Sequence, residues 1–165
     1  IIFVRMKKIA LVAAALITTL AAHAQFESDK KYLGASLTGL NLSYNGTEDL
    51  NLGIQAKAGY MVADDWMLLG QAEYQHSGAE GVKDYFSVGA QGRYYIEQNG
   101  LYLGLGAKLV HTGSYNDLMP GLEIGYAFFI SKEVTIEPAV YYDQSFKNHA
   151  DHSTVGLKVG IGIYL

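Results

Sequence analysis

Cysteine is absent from this sequence, which removes disulfides, thiolate zinc sites, cysteine nucleophiles and a lipidated cysteine anchor. Charge is scarce: Asp, Glu, Lys and Arg make up 17% of the 165 residues, where about a quarter is usual. Half the residues are nonetheless hydrophobic and 12% are aromatic, which excludes an intrinsically disordered chain. Proline occurs twice and glycine 19 times. Each glycine inside a helix costs about 1 kcal/mol, so a helical bundle is excluded as well. A long apolar run is also missing. The stretch from Ile9 to Leu20 covers 12 residues, and a spanning helix needs ~20.

That short run has another use. Met6-Lys7-Lys8 is a basic start, Ile9 to Leu20 is apolar apart from two threonines, and Ala22-His23-Ala24 supplies small residues for a signal peptidase. This is the layout of a cleavable secretory signal. Residues 1–24 are therefore expected to be upstream residues (Ile1 to Arg5) plus signal peptide, with cleavage between Ala24 and Gln25. Without Arg5, Lys7 and Lys8, residues 25–165 carry 9 basic and 16 acidic residues, net −7. That balance argues against nucleic acid, whose binding rests on basic patches.

From residue 32 onward the period is two, not 3.6. Between 50 and 62, Leu50, Leu52, Ile54, Ala56, Ala58, Tyr60 and Val62 share one face, opposite Asn51, Gly53, Gln55, Lys57 and Gly59. Successive strand side chains point to opposite sides, so this is a strand with one apolar face. The pattern recurs over 66–75, 85–96, 101–110, 118–130, 134–143 and 154–165. A first strand over 32–44 changes its apolar phase between Leu37 and Leu40, which predicts a bulge near Gly39. Three links are tight turns, with Asn99-Gly100 a strong hairpin signal. The other four, 45–49, 76–83, 111–117 and 145–153, are polar and read as longer loops. Eight long antiparallel strands, with short turns at one end and longer loops at the other, predict an all-β, eight-stranded, up-and-down transmembrane β-barrel.

Two barrels share such alternation. A soluble lipocalin-like carrier turns its apolar face inward; an outer-membrane barrel is inverted. The weaker face here is Gly, Ala, Ser, Gln and Tyr with few charges, whereas a water-facing surface is about 25–35% charged. A crowded lumen accounts for both features. Lys57, Glu73, Arg93, Lys108, Glu123, Glu137, Asp143 and Lys158 all fall on this inner face, four basic against four acidic. Buried charges are costly unless paired, so they are expected to form an internal ion network filling a narrow lumen. On the other face, aromatics gather toward strand ends: Tyr60, Trp66, Tyr94 and Phe128 by the tight turns, Tyr44, Tyr74, Phe86 and Tyr142 by the longer loops. Aromatic girdles mark the two membrane interfaces.

The signal, the alternating strands and the closing segment Val155-Gly156-Leu157-Lys158-Val159-Gly160-Ile161-Gly162-Ile163-Tyr164-Leu165 resemble the small outer-membrane β-barrel family, OmpX/OmpA-like, of the porin-type proteins. The resemblance implies export to the outer membrane of a Gram-negative cell. It also implies contact with outer-membrane lipids and recognition of the last strand by the barrel assembly machinery. Members usually end on an aromatic residue; here Tyr164 is penultimate.

Chemistry on the loops is sparse. His149-x-x-His152 with Asp151 and Asp117 has metal-ligand residue types. Ser153 or Ser114 with His111, His149 or His152 and Asp117 or Asp143 has those of a lipid-modifying hydrolase. His152 and Ser153 are sequence neighbours, which a strand turns to opposite faces. No cofactor, metal or catalytic site is therefore expected. The expected role is structural or cell-surface interaction, through outer-membrane lipids or an extracellular partner of loops 45–49, 76–83, 111–117 and 145–153. A rim enzyme, a narrow ion pore and a soluble carrier are the alternatives.

Overall fold

Strand segments follow one another in the computed structural model, which describes residues 26–43, 48–76, 81, 83–96, 99–147 and 153–165. They are β1 (Lys31–Ser43), β2 (Glu48–Ala63), β3 (Trp66–His76), β4 (Tyr85–Tyr95), β5 (Leu101–Thr112), β6 (Tyr115–Tyr126), β7 (Phe128–Phe129), β8 (Val134–Asp143) and β9 (Thr154–Tyr164). Sequence neighbours pair antiparallel, except that β6 and β7 do not pair with each other and both pair with β8, and β1 pairs with β9. The sheet therefore closes into a barrel. At the seam, the Lys31 and Leu165 backbones exchange two hydrogen bonds of 2.8 Å.

β6 and β7 are two parts of one wall strand, so the barrel has eight staves. The expected strand over 118–130 starts earlier, at Tyr115, and breaks at Ala127. There the Ala127 N–H donates to the Gly100 carbonyl at 2.8 Å, one step beyond the Leu101↔Tyr126 pair. Its methyl group turns into the lumen. The phase change in β1 has its counterpart in a register shift between Thr38 and Leu40 against both neighbours. Against β9, Gly39 is the unpaired extra residue.

Turn chemistry fixes one end of the barrel. Asp64-Asp65 joins β2 to β3, with Asp65 at φ 64°. Gly100 takes φ 93° after Asn99, whose side-chain carbonyl accepts the Leu101 N–H at 2.8 Å. A Cβ at Gly100 would stand 2.7 Å from the Ala127 carbonyl, so the position needs glycine for both conformation and space.

One expected loop is not a loop. Over 111–117 the ladder of β5 and β6 runs on to Thr112↔Tyr115, and only Gly113 and Ser114 turn, with Gly113 at φ 60°. The hairpin also outruns its other neighbour, because β6 pairs with β8 only from Gly121 on. Pro120, just before that point, has no N–H to give; its carbonyl accepts the Gln144 N–H at 2.8 Å.

The faces are inverted relative to a soluble protein. Along β9, Val155, Leu157, Val159, Ile161 and Ile163 are exposed, and Lys158 between them is buried. The same holds around the wall, from Leu33 and Ile54 through Leu68, Val88, Leu105 and Ile124 to Val140. The inner glycines make room for large side chains. A Cβ at Gly162 would lie 2.5 Å from Glu137 Oε1 and 2.7 Å from the Tyr32 ring.

This inversion is directly testable. Leu105, mid-strand and 66% exposed, is expected to tolerate Arg poorly. Leu105→Arg should lower folding stability in phospholipid vesicles by about 2–4 kcal/mol, the usual effect of Arg at a bilayer midplane. The urea midpoint followed by Trp66 fluorescence reads it, and a water-facing wall would show no shift.

Candidate functional site: the lumen and the outer rim

At the tight-turn end the lumen is closed by rings. Phe26, from the segment before β1, stacks on Tyr95 at 4.0 Å and meets Phe129 and Tyr164 edge-on at 5.6 Å. Met61, Met67, Leu69, Tyr32 and Tyr102 complete a buried cluster around it. The Phe26 carbonyl accepts the Asp65 N–H at 2.8 Å, and the Ser28 N–H donates to Asp64 at 2.9 Å, which pins the plug to the β2–β3 turn. The lumen is thus not polar throughout. Its turn-end portion is aromatic, because β2, β3 and β7 turn Met61, Met67 and Phe129 inward there.

The ion network begins above this plug. Arg93, on β4 and fully buried, reaches Glu123 on β6 at 3.0 Å and Glu137 on β8 at 3.1 Å. Its guanidinium lies over the Tyr102 ring at 4.2 Å. Glu123 also receives Lys158 from β9 at 2.5 Å and Lys57 from β2 at 3.6 Å. Glu137 accepts hydrogen bonds from Tyr32 (2.8 Å), Thr135 (2.9 Å) and Tyr164 (3.0 Å). Tyr164 and Tyr95 share a further hydrogen bond of 2.8 Å, so the plug and the ions are one connected network.

A second cluster lies toward the loops. Lys108 meets Asp143 at 2.5 Å and Glu73 at 3.8 Å, and Glu73 also accepts from Thr38 and Gln75. A cavity of about 30 Å³ separates the two clusters, lined by Glu73, Glu123, Lys108, Asp143, Lys158 and Gln91 among others. That is room for about one water. Among the described residues, no fully buried side-chain nitrogen or oxygen lacks a partner. All eight ionisable residues singled out on the inner face lie in these two clusters.

The rim holds what the sequence does not show. Ser145 donates to Asp117 Oδ2 at 2.5 Å, and Tyr115 donates to the same oxygen at 3.0 Å. The Ser145 N–H donates to Ser153 Oγ at 2.9 Å. Of the residues weighed for hydrolase chemistry, Asp117 and Ser153 thus meet Ser145, while His111 pairs with Asn116 at 2.5 Å. Asp143 belongs to Lys108, and Ser114 sits in the β5–β6 turn. His76 pairs with Asp84 at 2.8 Å. His149, Asp151 and His152 lie outside the described residues, and among the described residues no cluster suits a metal ion.

On the outer wall, Tyr60, Trp66, Tyr74, Phe86 and Tyr94 are exposed, and Phe128 and Tyr142 are half-buried. Trp66 and Tyr94 pair at 4.8 Å, and Phe128 and Tyr126 at 4.3 Å. Tyr44 lies outside the described residues.

Solved structures share this architecture. The N-terminal β-barrel domain of Pseudomonas aeruginosa OprF superposes with a TM-score of 0.65 at 11% identity, covering 84% of this chain and 98% of that one. Neisserial surface protein A gives 0.58 at 15%, covering 81% and 96%. The Yersinia pestis outer-membrane protein Ail, in a phospholipid bilayer nanodisc, gives 0.57 at 16%, covering 83% and 99%. The fold is that of a small outer-membrane β-barrel. No protein-family model and no curated protein matches the sequence, so the likeness is one of fold.

Two substitutions separate the plug from the ions. Arg93→Met removes the cation paired with Glu137 and leaves Glu123 with Lys57 and Lys158, and removing one partner of a buried pair costs about 3–5 kcal/mol. Phe26→Ala empties the plug, at about 3–5 kcal/mol for a buried Phe. Urea unfolding of the vesicle-embedded barrel should show both losses; an unshifted midpoint for either would remove that residue from the fold's support.

Proposed function

We propose that this chain is an integral protein of the Gram-negative outer membrane with a structural or cell-surface interaction role, exported by its N-terminal signal. In this reading its lumen is a filled core, not a wide pore. The observation that carries the proposal is the pairing of an apolar, aromatic-ended outer wall with an interior whose buried polar atoms find partners inside the barrel. A bilayer requires both, since lipid satisfies no hydrogen bond. The likeness to the OprF, NspA and Ail barrels supports the same reading. The eight lumen ionic residues serve as structural supports, because each is tied to a carboxylate or cation on another strand. The exposed aromatics seat the barrel at the two interfaces. Outer-membrane lipids and, during insertion, the barrel assembly machinery are its partners.

A rim hydrolase has less support. Asp117 meets a serine, but that serine is fully buried, and the two described histidines at this end, His76 and His111, are bonded to Asp and Asn side chains. A narrow pore would have to pass both the Phe26 plug and the Arg93 cluster.

Gel migration of the mature protein, extracted from an outer-membrane fraction and run unheated and boiled, tests the placement. The unheated barrel should migrate apart from the boiled chain; a soluble periplasmic protein with no shift would restore the carrier reading. Planar-bilayer recordings should then show no steady conductance. Steady steps altered by Lys57→Met or Glu73→Gln would convert the reading to a pore.

A further inference from the structure

The wall is not evenly covered near the loop end. Register places the outward residues of β4, β5 and β6 in rows. Val88, Leu109 and Leu118 form one row and Phe86, His111 and Asn116 the row above it, toward the loops. The row below is Ala90, Ala107 and Pro120, three small side chains between larger ones. The wall is lower at that row, and just above it, toward the loops, a groove of about 540 Å³ is lined chiefly by Phe86, Val88, Leu109 and Leu118. All four are exposed.

The upper end of this groove carries one ammonium, Lys147, whose charge also acts on the buried Asp117 carboxylate in the same lining. Lys147, from the segment after β8, reaches over the protruding β5–β6 hairpin and donates to the Asn116 carbonyl, with its ammonium 5.7 Å from the Tyr115 ring. His111 and Lys147 line the same groove. The carboxylate in its lining, Asp117, is buried and held from the barrel side by Tyr115 and Ser145. An apolar floor in the membrane wall, an aromatic at the interface and an ammonium above it match the order of parts in a phosphorylated acyl lipid. Lysine stems suit this level, lying along apolar surface with the charge toward water.

We propose that this groove is a binding site for one phosphate-bearing acyl lipid of the outer leaflet. An acyl chain lies in the groove over Leu109 and runs down onto the small-residue row at Ala107, and the phosphate lies between Lys147 and His111. The inference rests on the outer-membrane placement proposed above and adds a defined lipid partner to it.

The test uses the folded mature barrel in detergent micelles. It is offered an equimolar mixture of phosphatidic acid and phosphatidylcholine with identical acyl chains, and retained lipids are counted by native mass spectrometry. The unaltered protein should keep phosphatidic acid at least threefold over phosphatidylcholine. Lys147→Ala should remove that preference, Ala107→Leu should reduce retention of both lipids by filling the small-residue row, and Lys132→Ala, in the turn at the opposite end, should change neither. All four proteins are run unheated and boiled to show that they are folded. Equal retention of the two lipids by a folded barrel, or a preference that survives Lys147→Ala, would overturn the site alone. Displacement of phosphatidic acid by millimolar inorganic phosphate would overturn it too, since the acyl chain would then contribute nothing. Loss of the heat-dependent shift in the unaltered protein would overturn the membrane placement and the site with it.

Discussion

In an eight-stranded wall every inward side chain lies within reach of the opposite side, and a polar group turned away from lipid has nowhere else to find a partner. Glu123 shows the consequence. It stands on β6 and gathers cations from β2, β4 and β9, so one carboxylate ties four staves together. Arg93 links its own strand to β6 and β8 across sequence separations of 30 and 44 residues. The apolar outer face holds the barrel in the bilayer but is non-directional. Direction comes from the lumen, where a charge moved by one residue would face lipid.

Large and small inner side chains are sorted by the same crowding. Tyr32 lies where Gly34 and Gly162 have no Cβ to meet it, and Tyr102 lies over Gly125. The tyrosine hydroxyls end on Glu137 and Glu123. Glycine thus supplies space for a ring, and the ring supplies a hydrogen bond to a buried carboxylate. The high glycine and tyrosine content of the chain expresses one packing arrangement.

Much of this was legible in the sequence because a period of two assigns each residue to a face without reference to any other strand. The inner placement of Lys57, Glu73, Arg93, Lys108, Glu123, Glu137, Asp143 and Lys158 follows from phase alone, as does the bulge at Gly39. Phase does not say who meets whom. That Glu123 is a hub while Glu73 shares one lysine with Asp143 depends on register and depth, which arise only when the wall closes. Phe26 was illegible for another reason: it precedes the alternating segments, so no pattern points it anywhere. The residues around Gly113 look like a loop because His111, Thr112, Tyr115 and Asn116 are all polar or amphipathic. Backbone pairing carries that hairpin past the end of β8, with no apolar pattern to announce it. The contact of Asp117 with Ser145 likewise joins two segments 28 residues apart, which no local spacing could bring together.

The charges balance over the whole lumen but not within each cluster. With every member ionised, Lys57, Arg93 and Lys158 outnumber Glu123 and Glu137, while Glu73 and Asp143 outnumber Lys108. One cluster is left with an excess positive charge and the other with an excess negative charge, on either side of a cavity the size of a water molecule. In a medium of low dielectric such excesses attract strongly and are screened little by salt. With all eight ionised, the two clusters together are neutral, with the cavity between them. Residues in such a network do not contribute additively. The energy of Lys108 cannot be read from its two carboxylates alone, because it also sets the charge that the Glu123 cluster faces. That coupling runs along the barrel axis, at right angles to the pairings that close the wall, and it holds the lumen's depth order as register holds its circumference.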